Sequence, residues 1–309
     1  IAKANGHWIH GTDGSGATAG GSVVITGLAS YTDPVNFSDI QAGTGGTVTA
    51  VIDADTTFQP GSSLGTLALS VNDGTTLTIS AADAAGKSIG GAGTVNITGD
   101  LSGTGETWDM TKTTASNVNF VDQVESISVD AINVAGANNT LLLTAAQASA
   151  HTITVSGDSG HTTQVKVLGN VDSNAVVDLR GIDANALSFL DTGEGTGLGT
   201  IAVGAGATLK LTAAQASGKQ ITGTNTSTIE VYGIDGTTDL SGLSSTANVK
   251  VVLANAGTFD VTDNPKLGNV DGYVLENAST VLQVKESQIS GKAVTVDPSA
   301  MGATVVFVG

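Results

Sequence analysis

Apolar and polar residues alternate in short runs that end at glycine and recur along the chain. The pattern β-branched, any residue, apolar, any residue, Gly occurs at 23–27, 95–99, 165–169, 229–233 and 305–309. Alternation with a period of two, closed by glycine, predicts a strand with one buried face that ends in a turn. The pattern therefore predicts many short strands joined by tight turns.

A second pattern predicts a capped helix of one turn between strands. Residues 77–83 read L-T-I-S-A-A-D, and the pattern returns at 141–147, 209–215 and, in degenerate form, 282–288. The Ser or Thr is an N-cap, and the Asp or Gln reaches back to it, as in a capping box. Glycines at 86, 218 and 291 can end three of the helices in the left-handed conformation. The second copy has Ala150 there, so its end must differ.

A third pattern, Asp-Leu-x-Gly, occurs at 100–103, 178–181 and 239–242. It predicts turns, because Asp can hydrogen-bond its own backbone and Gly tolerates positive φ. The helix pattern returns after 64, 68 and 73 residues, and self-similarity at a nearly fixed spacing predicts stacked or strung units. We divide the chain into a Gly-rich leader, 1–22, and one continuous array, 23–309. The array has about four units, at 23–94, 95–164, 165–228 and 229–309.

The composition favours a thin aliphatic core. The 309 residues include 42 Gly and 4 Pro, and only 4% are aromatic although 40% are hydrophobic. A thick globular core would use more Phe, Tyr and Trp. The sequence thus predicts an all-β, repetitive β-solenoid, similar to a parallel β-helix, with about 13 coils of roughly 20–25 residues. The alternative is a string of small β-sandwich domains, which the helix pattern and the few aromatic residues disfavour.

The charge limits the partners. There are 28 acidic and 11 basic residues, for a formal net charge of −17. Such a surface repels nucleic acid and anionic membranes, while divalent cations are its natural counter-ions. No apolar run is long enough to span a membrane, and the chain has no Cys for a disulfide framework. It opens with Ile1 and shows no signal peptide, so we expect a processed product or a fragment.

The combined pattern L-x-[LI]-[ST]-A-A-[QD]-A-x-G-K-x-I-T-G resembles the repeats of giant bacterial surface proteins. These include S-layer-like proteins, secreted filament subunits and large repetitive adhesins. The resemblance also rests on the Val-x-Ile-x-Gly and Asp-Leu-Ser-Gly patterns, and it covers most of residues 20–309. It implies a bacterial protein that is exported to the cell surface or the extracellular space. The Gly-Gly-x-Gly-x-Asp calcium repeats that are frequent in related exported proteins are absent.

Three short segments have oxygen-bearing side chains at the spacing or density of a calcium site. Calcium is therefore the one candidate cofactor, although the second segment lacks the Gly and the distal Glu of a helix–loop–helix site. The candidate ligands are Asp53, Asp55, Asn170, Asp172, Asn174, Asp191 and Glu194. His7 and His10 are half of a possible metal set, but no Cys is available to complete it, so we interpret them as an ordinary terminal segment.

No catalytic motif is recognisable, and we expect no enzymatic activity. Arg180, the single arginine, stands where the related patterns have Ser102 and Ser241. A functional site added to the repeats would be expected at such a departure from the pattern. Trp108 lies between carboxylates at 106 and 109, as in sugar-binding clefts, but without a basic partner. Enzymes that degrade polysaccharides on a β-helix need acidic or basic groups gathered on one face. A polysaccharide-degrading enzyme is therefore the third hypothesis, after the two classes below.

Two functional classes lead. The first is a structural surface protein that self-assembles into a lattice, sheath or filament, with itself as partner. The second is an adhesin stalk or glycan-binding module, with cell-surface polysaccharide as partner. Uniform repeats with self-complementary ends favour the first class, whereas one repeat with an exposed aromatic or polar cluster would favour the second. The aromatic residues are scattered along the sequence, so the structural role is preferred.

Overall fold

The computed structural model describes residues 22–28, 30–40, 46–99, 101–104, 107–115, 117–121, 131–137, 139–149, 151–156, 163–190 and 200–308. These residues belong to two compact units. The first comprises Ile1–Leu143 with Ile153–Gln164, and the second comprises Thr144–Thr152 with Val165–Gly309. Candidate residues that fall in the gaps, such as Asp191 and Glu194, lie outside the described residues.

Each unit is a parallel β-solenoid; the two together hold about 11 turns, and the residues that the structure describes include only four short α-helices. This confirms the predicted fold class and excludes the string of sandwiches, because a sandwich is built from antiparallel strands. The number of turns is lower than the 13 expected from the sequence.

Among its described residues, the first unit has one helix, α1 (Ala81–Ala84), and most of thirteen strands. The strands are β1 (Ser22–Ile25), β2 (Thr47–Ile52), β3 (Thr56–Thr57), β4 (Ala68–Val71), β5 (Thr76–Ser80), β6 (Ile89–Gly91), β7 (Thr94–Thr98), β8 (Leu101–Thr104), β9 (Thr107–Asp109), β10 (Asn117–Val121), β11 (Ala131–Ala137), β12 (Thr140–Thr144) and β13 (Thr152–Ser156). Its sheets have the strand orders β1-β2-β4-β6, β3-β5-β7-β10 and β8-β11-β13, and β9 pairs with β12.

The second unit contains the other three α-helices and a short 3₁₀ helix at Pro298–Ala300. The α-helices are α2 (Ala145–Ala148), α3 (Ala213–Ala216) and α4 (Glu286–Ile289). The strands are β14 (Gln164–Leu168), β15 (Val176–Asp178), β16 (Leu187–Leu190), β17 (Ile201–Val203), β18 (Thr208–Thr212), β19 (Ile221–Gly223), β20 (Thr228–Tyr232), β21 (Asn248–Leu253), β22 (Gly257–Asp260), β23 (Gly272–Leu275), β24 (Thr280–Val284), β25 (Ala293–Val296) and β26 (Thr304–Phe307). Its main sheet runs β15-β18-β20-β21-β23-β25, beside β17-β19, β22-β24-β26 and the pair β14-β16.

Most turns of the solenoid are short. Thr208 is in register with Thr228, which is in register with Asn248, so these turns take about 20 residues each. Two turns are longer, because Thr107 pairs with 140 and Val176 pairs with 208, at about 32 to 33 residues each. The long turns account for part of the difference between the predicted and the observed number of turns. One sequence repeat of 64 to 73 residues thus corresponds to about three turns.

The core is a stack of aliphatic side chains. In the second unit Leu209, Ile229 and Val249 lie in register on neighbouring strands, and all three are buried. The parallel register places each residue directly over its counterpart, so a narrow interior is filled without large rings. Tyr273 is an exception, because its ring is buried and its hydroxyl has no hydrogen-bond partner among the described residues.

The helix ends follow the predicted chemistry. Thr144 and Thr212 each form a complete capping box with the Gln three residues on, and the hydroxyl of Ser80 accepts from the backbone N–H of Asp83. The glycines at 86, 218 and 291 have φ values of 70°, 72° and 76°. The predicted left-handed helix ends are therefore confirmed at three of the four copies, and Ala150 of the remaining copy lies outside the described residues.

The Asp-Leu-x-Gly prediction was partly wrong. Leu101–Thr104 forms strand β8, which pairs with β11, so this copy is not a turn. Gly181 and Gly242 do not have positive φ. A Cβ at these positions would instead overlap the carbonyl oxygens of His151 and Lys219. Glycine is required there because neighbouring turns approach closely, rather than because the backbone is left-handed.

Candidate functional site

The repeated glutamine of the helix pattern bonds to the preceding turn. Gln215 is fully buried, and its Oε1 accepts from the backbone N–H of Thr212 at 2.8 Å. Its Nε2 donates to the carbonyl oxygens of Leu179 and Ile182 at 2.6 and 2.7 Å. The capping box was predicted, but the amide's second role was not, because it joins residues more than 30 positions apart. One side chain thus both caps the start of its helix and bonds that helix to the preceding turn.

Side-chain amides make the same kind of bond at three other corners of the second unit. In each case the amide nitrogen donates to two backbone carbonyl groups of the preceding turn. The donors are Asn264, Asn269 and Gln288. Such bonds satisfy carbonyl groups that no strand or helix uses, which removes a desolvation penalty at the corners.

The lysine of the repeated Gly-Lys pair also bonds to the preceding turn. It follows the left-handed glycine in three copies, and its ammonium donates to one backbone carbonyl oxygen. The bonds join Lys87 to Gly65 at 2.8 Å, Lys219 to Leu187 at 3.2 Å and Lys292 to Leu267 at 3.0 Å. Burial lowers the pKa of Lys292, while the negative charge of Asp271 opposes that shift.

Aspartates at the corners hold the backbone in tight turns. The carboxylate of Asp239 accepts from the N–H and the hydroxyl of Ser241, and Asp260 makes the same pair of bonds with Thr262. The bond from the backbone N–H of Ser241 is the kind predicted for the Asp-Leu-x-Gly turns. Both pairs of bonds are made by the charged form of the side chain, so they link the fold to pH.

The pKa of the aspartate lies below its ordinary value at several of these corners, which are Asp178, Asp235, Asp239, Asp260 and Asp297. The largest cause is a side-chain hydrogen bond in each case. Arg180 donates this hydrogen bond to Asp178, and Lys266 donates it to Asp239. In the other three corners the donor is the hydroxyl group of the residue two positions on. The pKa of Asp239 falls to about 2.

We expect acid to unfold the protein through these aspartates. A carboxyl whose pKa is lower in the folded state stabilises the fold above its ordinary pKa, and that contribution is lost as the pH falls through the folded value. The urea concentration at the midpoint of unfolding should therefore decrease as the pH is lowered from 3.8 to about 2. Asp239→Asn keeps an oxygen acceptor but does not titrate, so its midpoint should depend less on pH. A wild-type midpoint that stays constant across this range would contradict the expectation.

Arg180 belongs to a cluster on the outer face of the main sheet. Its Nε and Nη2 donate to the two carboxylate oxygens of Asp178 at 2.9 and 2.7 Å. Its Cζ lies 3.9 Å from the ring centroid of Tyr232, whose hydroxyl donates to Glu230 at 3.1 Å. Burial and the charge of Glu230 raise the pKa of Tyr232 to about 12. Arg180 on the turn of β15 thus reaches across β18 to a side chain of β20.

Charges of alternating sign continue from this cluster along the sheet. The register places Asp178, Lys210, Glu230 and Lys250 side by side on consecutive strands, and we call these four residues the charge row. The Nζ of Lys210 is 3.6 Å from the Oε2 of Glu230. The row was not predicted, because it requires the turn lengths. Opposite charges thus lie on neighbouring strands at each step of the row, which favours this pairing of the strands.

Two of the predicted calcium ligands, Asp55 and Asn170, accept hydrogen bonds from backbone N–H groups of another turn. Asp53 and Asp55 are exposed, and one oxygen of Asp55 accepts from the backbone N–H of Thr76 at 2.8 Å. The Oδ1 of Asn170 accepts from the N–H of Ala202 at 3.1 Å, while Asn174 is a left-handed residue with φ of 61°.

Asp172 is also exposed, and Asp191 and Glu194 lie outside the described residues. The structure describes no group of three or more His, Cys, Asp or Glu side chains that could hold a metal ion. Calcium binding therefore stays a prediction.

Trp108 is a buried residue of strand β9 rather than the wall of an open cleft. Asp109 beside it accepts from the N–H and the hydroxyl of Thr111. The carboxylate at 106 and the histidines at 7 and 10 lie outside the described residues. The structure thus favours a packing role for this tryptophan.

The described residues include no helix with the length and apolar character needed to cross a membrane. The chain matches no protein-family model, and neither a curated protein nor a solved structure is significantly similar to it. By its fold, the chain is a repeat protein of the parallel β-solenoid class.

Proposed function

We propose that this protein is a structural protein of the bacterial cell surface or extracellular space, which self-assembles into a lattice, sheath or filament. The observation that carries the proposal is that the repeated Gln, Lys and Gly residues join one turn of the solenoid to another. Repetition that serves stacking, rather than a pocket, is typical of scaffolds. The resemblance of the repeat pattern to bacterial surface proteins supports the location.

An adhesin stalk or glycan-binding module is the second candidate. The cluster around Arg180 and Tyr232 favours it, because one aromatic side chain on an outer face beside charged groups is a common sugar-binding arrangement. Against it, the guanidinium already covers the ring. In either case we propose no enzymatic activity, and cell-surface polysaccharide is the partner only under the second candidate.

Calcium-dependent association tests the structural role. The net charge of −17 opposes contact between copies, and divalent cations would screen and bridge the carboxylates. We expect sedimentation velocity of the full chain to show large species at millimolar calcium that dissociate on chelation. Sodium chloride at matched ionic strength is the control for screening alone. A chain that stays monomeric at high concentration with and without calcium would contradict self-assembly and favour the stalk.

A further inference from the structure

The outer face of the main sheet carries the charge row and is accessible to solvent. Val176, which points outward beside the row, is 63% exposed, and the side chains of Lys210 and Glu230 are 28% and 22% exposed. A further turn of the solenoid would stack beside the first or the last strand of this sheet, so it would leave the outer face uncovered. Only a partner other than a neighbouring turn can therefore cover this face.

The lysines of the charge row have unused capacity for ion pairs. The Nζ of Lys210 is 3.6 Å from Glu230, which is too long for a hydrogen bond. Within the described residues, the side chain of Lys250 has neither an ion pair nor a hydrogen bond. Each ammonium group has three donors, so both lysines can bond to groups of another molecule.

Read in the opposite direction, the charge row is its own electrostatic complement. Along consecutive strands its signs are negative, positive, negative and positive. A two-fold axis parallel to the strands, midway between β18 and β20, places two copies face to face and reverses the order of the strands in one of them. Asp178 then lies opposite the partner's Lys250, and Lys210 lies opposite the partner's Glu230. An axis along the row would instead place every charge opposite itself, so the signs select the first arrangement.

The residues beside the row fit the same arrangement. On the side of Val176, the register continues with Thr208, Thr228 and Asn248. The two-fold axis brings Val176 opposite the partner's Asn248 and Thr208 opposite the partner's Thr228, so no like charges meet there. Two molecules of net charge −17 repel over most of their surface, whereas the charges of the row sum to zero.

We propose that a second copy of this chain binds face to face across the charge row, about a two-fold axis parallel to the strands. This inference rests on the proposed self-assembly and names one of its contacts. The four strands span roughly 15 Å, which is small beside the interface of a stable dimer. A single contact is therefore weak, and an assembly strengthens it by repetition. The ion pairs mainly fix the relative orientation of the two copies.

A charge swap in the full chain tests the pairing of Lys210 with Glu230. Lys210→Glu places two acidic groups opposite each other at two symmetric positions, and Glu230→Lys does the same with two basic groups. We expect each variant alone to associate about tenfold more weakly than the wild type. An equimolar mixture restores opposite charges at every position of the row, so it should associate nearly as well as the wild type. Sedimentation equilibrium at high protein concentration and millimolar calcium measures this, after circular dichroism and melting have shown that each variant is folded.

Lys112→Glu and Glu286→Lys are the matched controls, because they make the same changes of net charge at exposed positions outside the row. We expect each control, alone or mixed, to associate like the wild type within about twofold. Equal losses in controls and row variants, or a mixture of row variants that stays as weak as its components, would overturn the pairing. Unchanged association in the row variants would overturn the contact and leave self-assembly intact. A wild-type chain that does not associate would overturn both.

Cross-linking tests the two-fold axis without changing the charge row. The chain has no cysteine, so Val176→Cys and Asn248→Cys each introduce one thiol at a position that the axis brings together between copies. A short bifunctional maleimide should join the two variants when they are mixed. It should not join Val176→Cys to itself, because the two copies of that residue lie at opposite ends of the contact. Equal cross-linking of Val176→Cys alone and in the mixture would overturn the arrangement.

Discussion

Gln215→Glu is expected to destabilise the second unit by about 3–5 kcal/mol, as is typical when a buried charge is left without a partner. The carboxylate would replace the amide nitrogen that donates to Leu179 and Ile182 at 2.6 and 2.7 Å. Two carbonyl oxygens would then face a negatively charged oxygen in a fully buried position. The change removes two hydrogen bonds and adds a repulsion, while the volume of the side chain stays the same.

The measurement is thermal and urea unfolding, with hydrogen exchange over residues 176–187 and 208–217 to localise the effect. Gln220→Glu is the control, because it makes the same chemical change at an exposed position five residues away. Protonation of the buried carboxyl at low pH should reduce the deficit of Gln215→Glu relative to wild type. If both variants unfold at the same midpoint, the bonds to the preceding turn do not stabilise the fold.

Gly242→Ala is expected to destabilise the same unit by about 3 kcal/mol, the upper end of the overpacking range. The new methyl group would overlap the carbonyl oxygen of Lys219 and approach the Nε2 of Gln220 within 2.7 Å. A backbone carbonyl cannot move aside without separating two turns. The backbone at 242 is not left-handed, so the cost arises from the approach of the turns rather than from strain in φ.

Gly268→Ala is the matched control for this steric effect. A Cβ there has no atom within 4 Å, and the backbone φ is not positive. We expect its melting temperature to stay close to that of the wild type. An equal, small effect of the two alanines would show that the turns can separate at 242 without much cost.

Local features of the fold were predictable from the sequence, because their causes lie within a few residues. The capping box of Thr212 and the left-handed Gly218 depend on neighbours in the chain. Alternation identified the buried faces of the strands, since the side-chain period of a strand is fixed. The β-solenoid class followed from repetition and from the scarcity of aromatic residues.

Features that depend on turn length were not predictable. Arg180 and Tyr232 are far apart in the sequence, and their contact requires one long turn followed by one short turn. Leu101–Thr104 has the same local pattern as two true corners, but pairing with β11 makes it a strand. Pairing with a neighbouring strand thus determines the conformation of this segment, and the four-residue pattern by itself does not.

The charge row has a consequence for how the chain selects its native stacking during folding. Because neighbouring turns have similar aliphatic interiors, packing alone distinguishes poorly between the native stack and a stack that skips one turn. If the strand carrying Lys210 were left out, Asp178 would lie beside Glu230, and like charges directly opposite are destabilising. Alternating sign along the row therefore disfavours a stack that omits the strand of Lys210 or the strand of Glu230, and so favours the native order of strands.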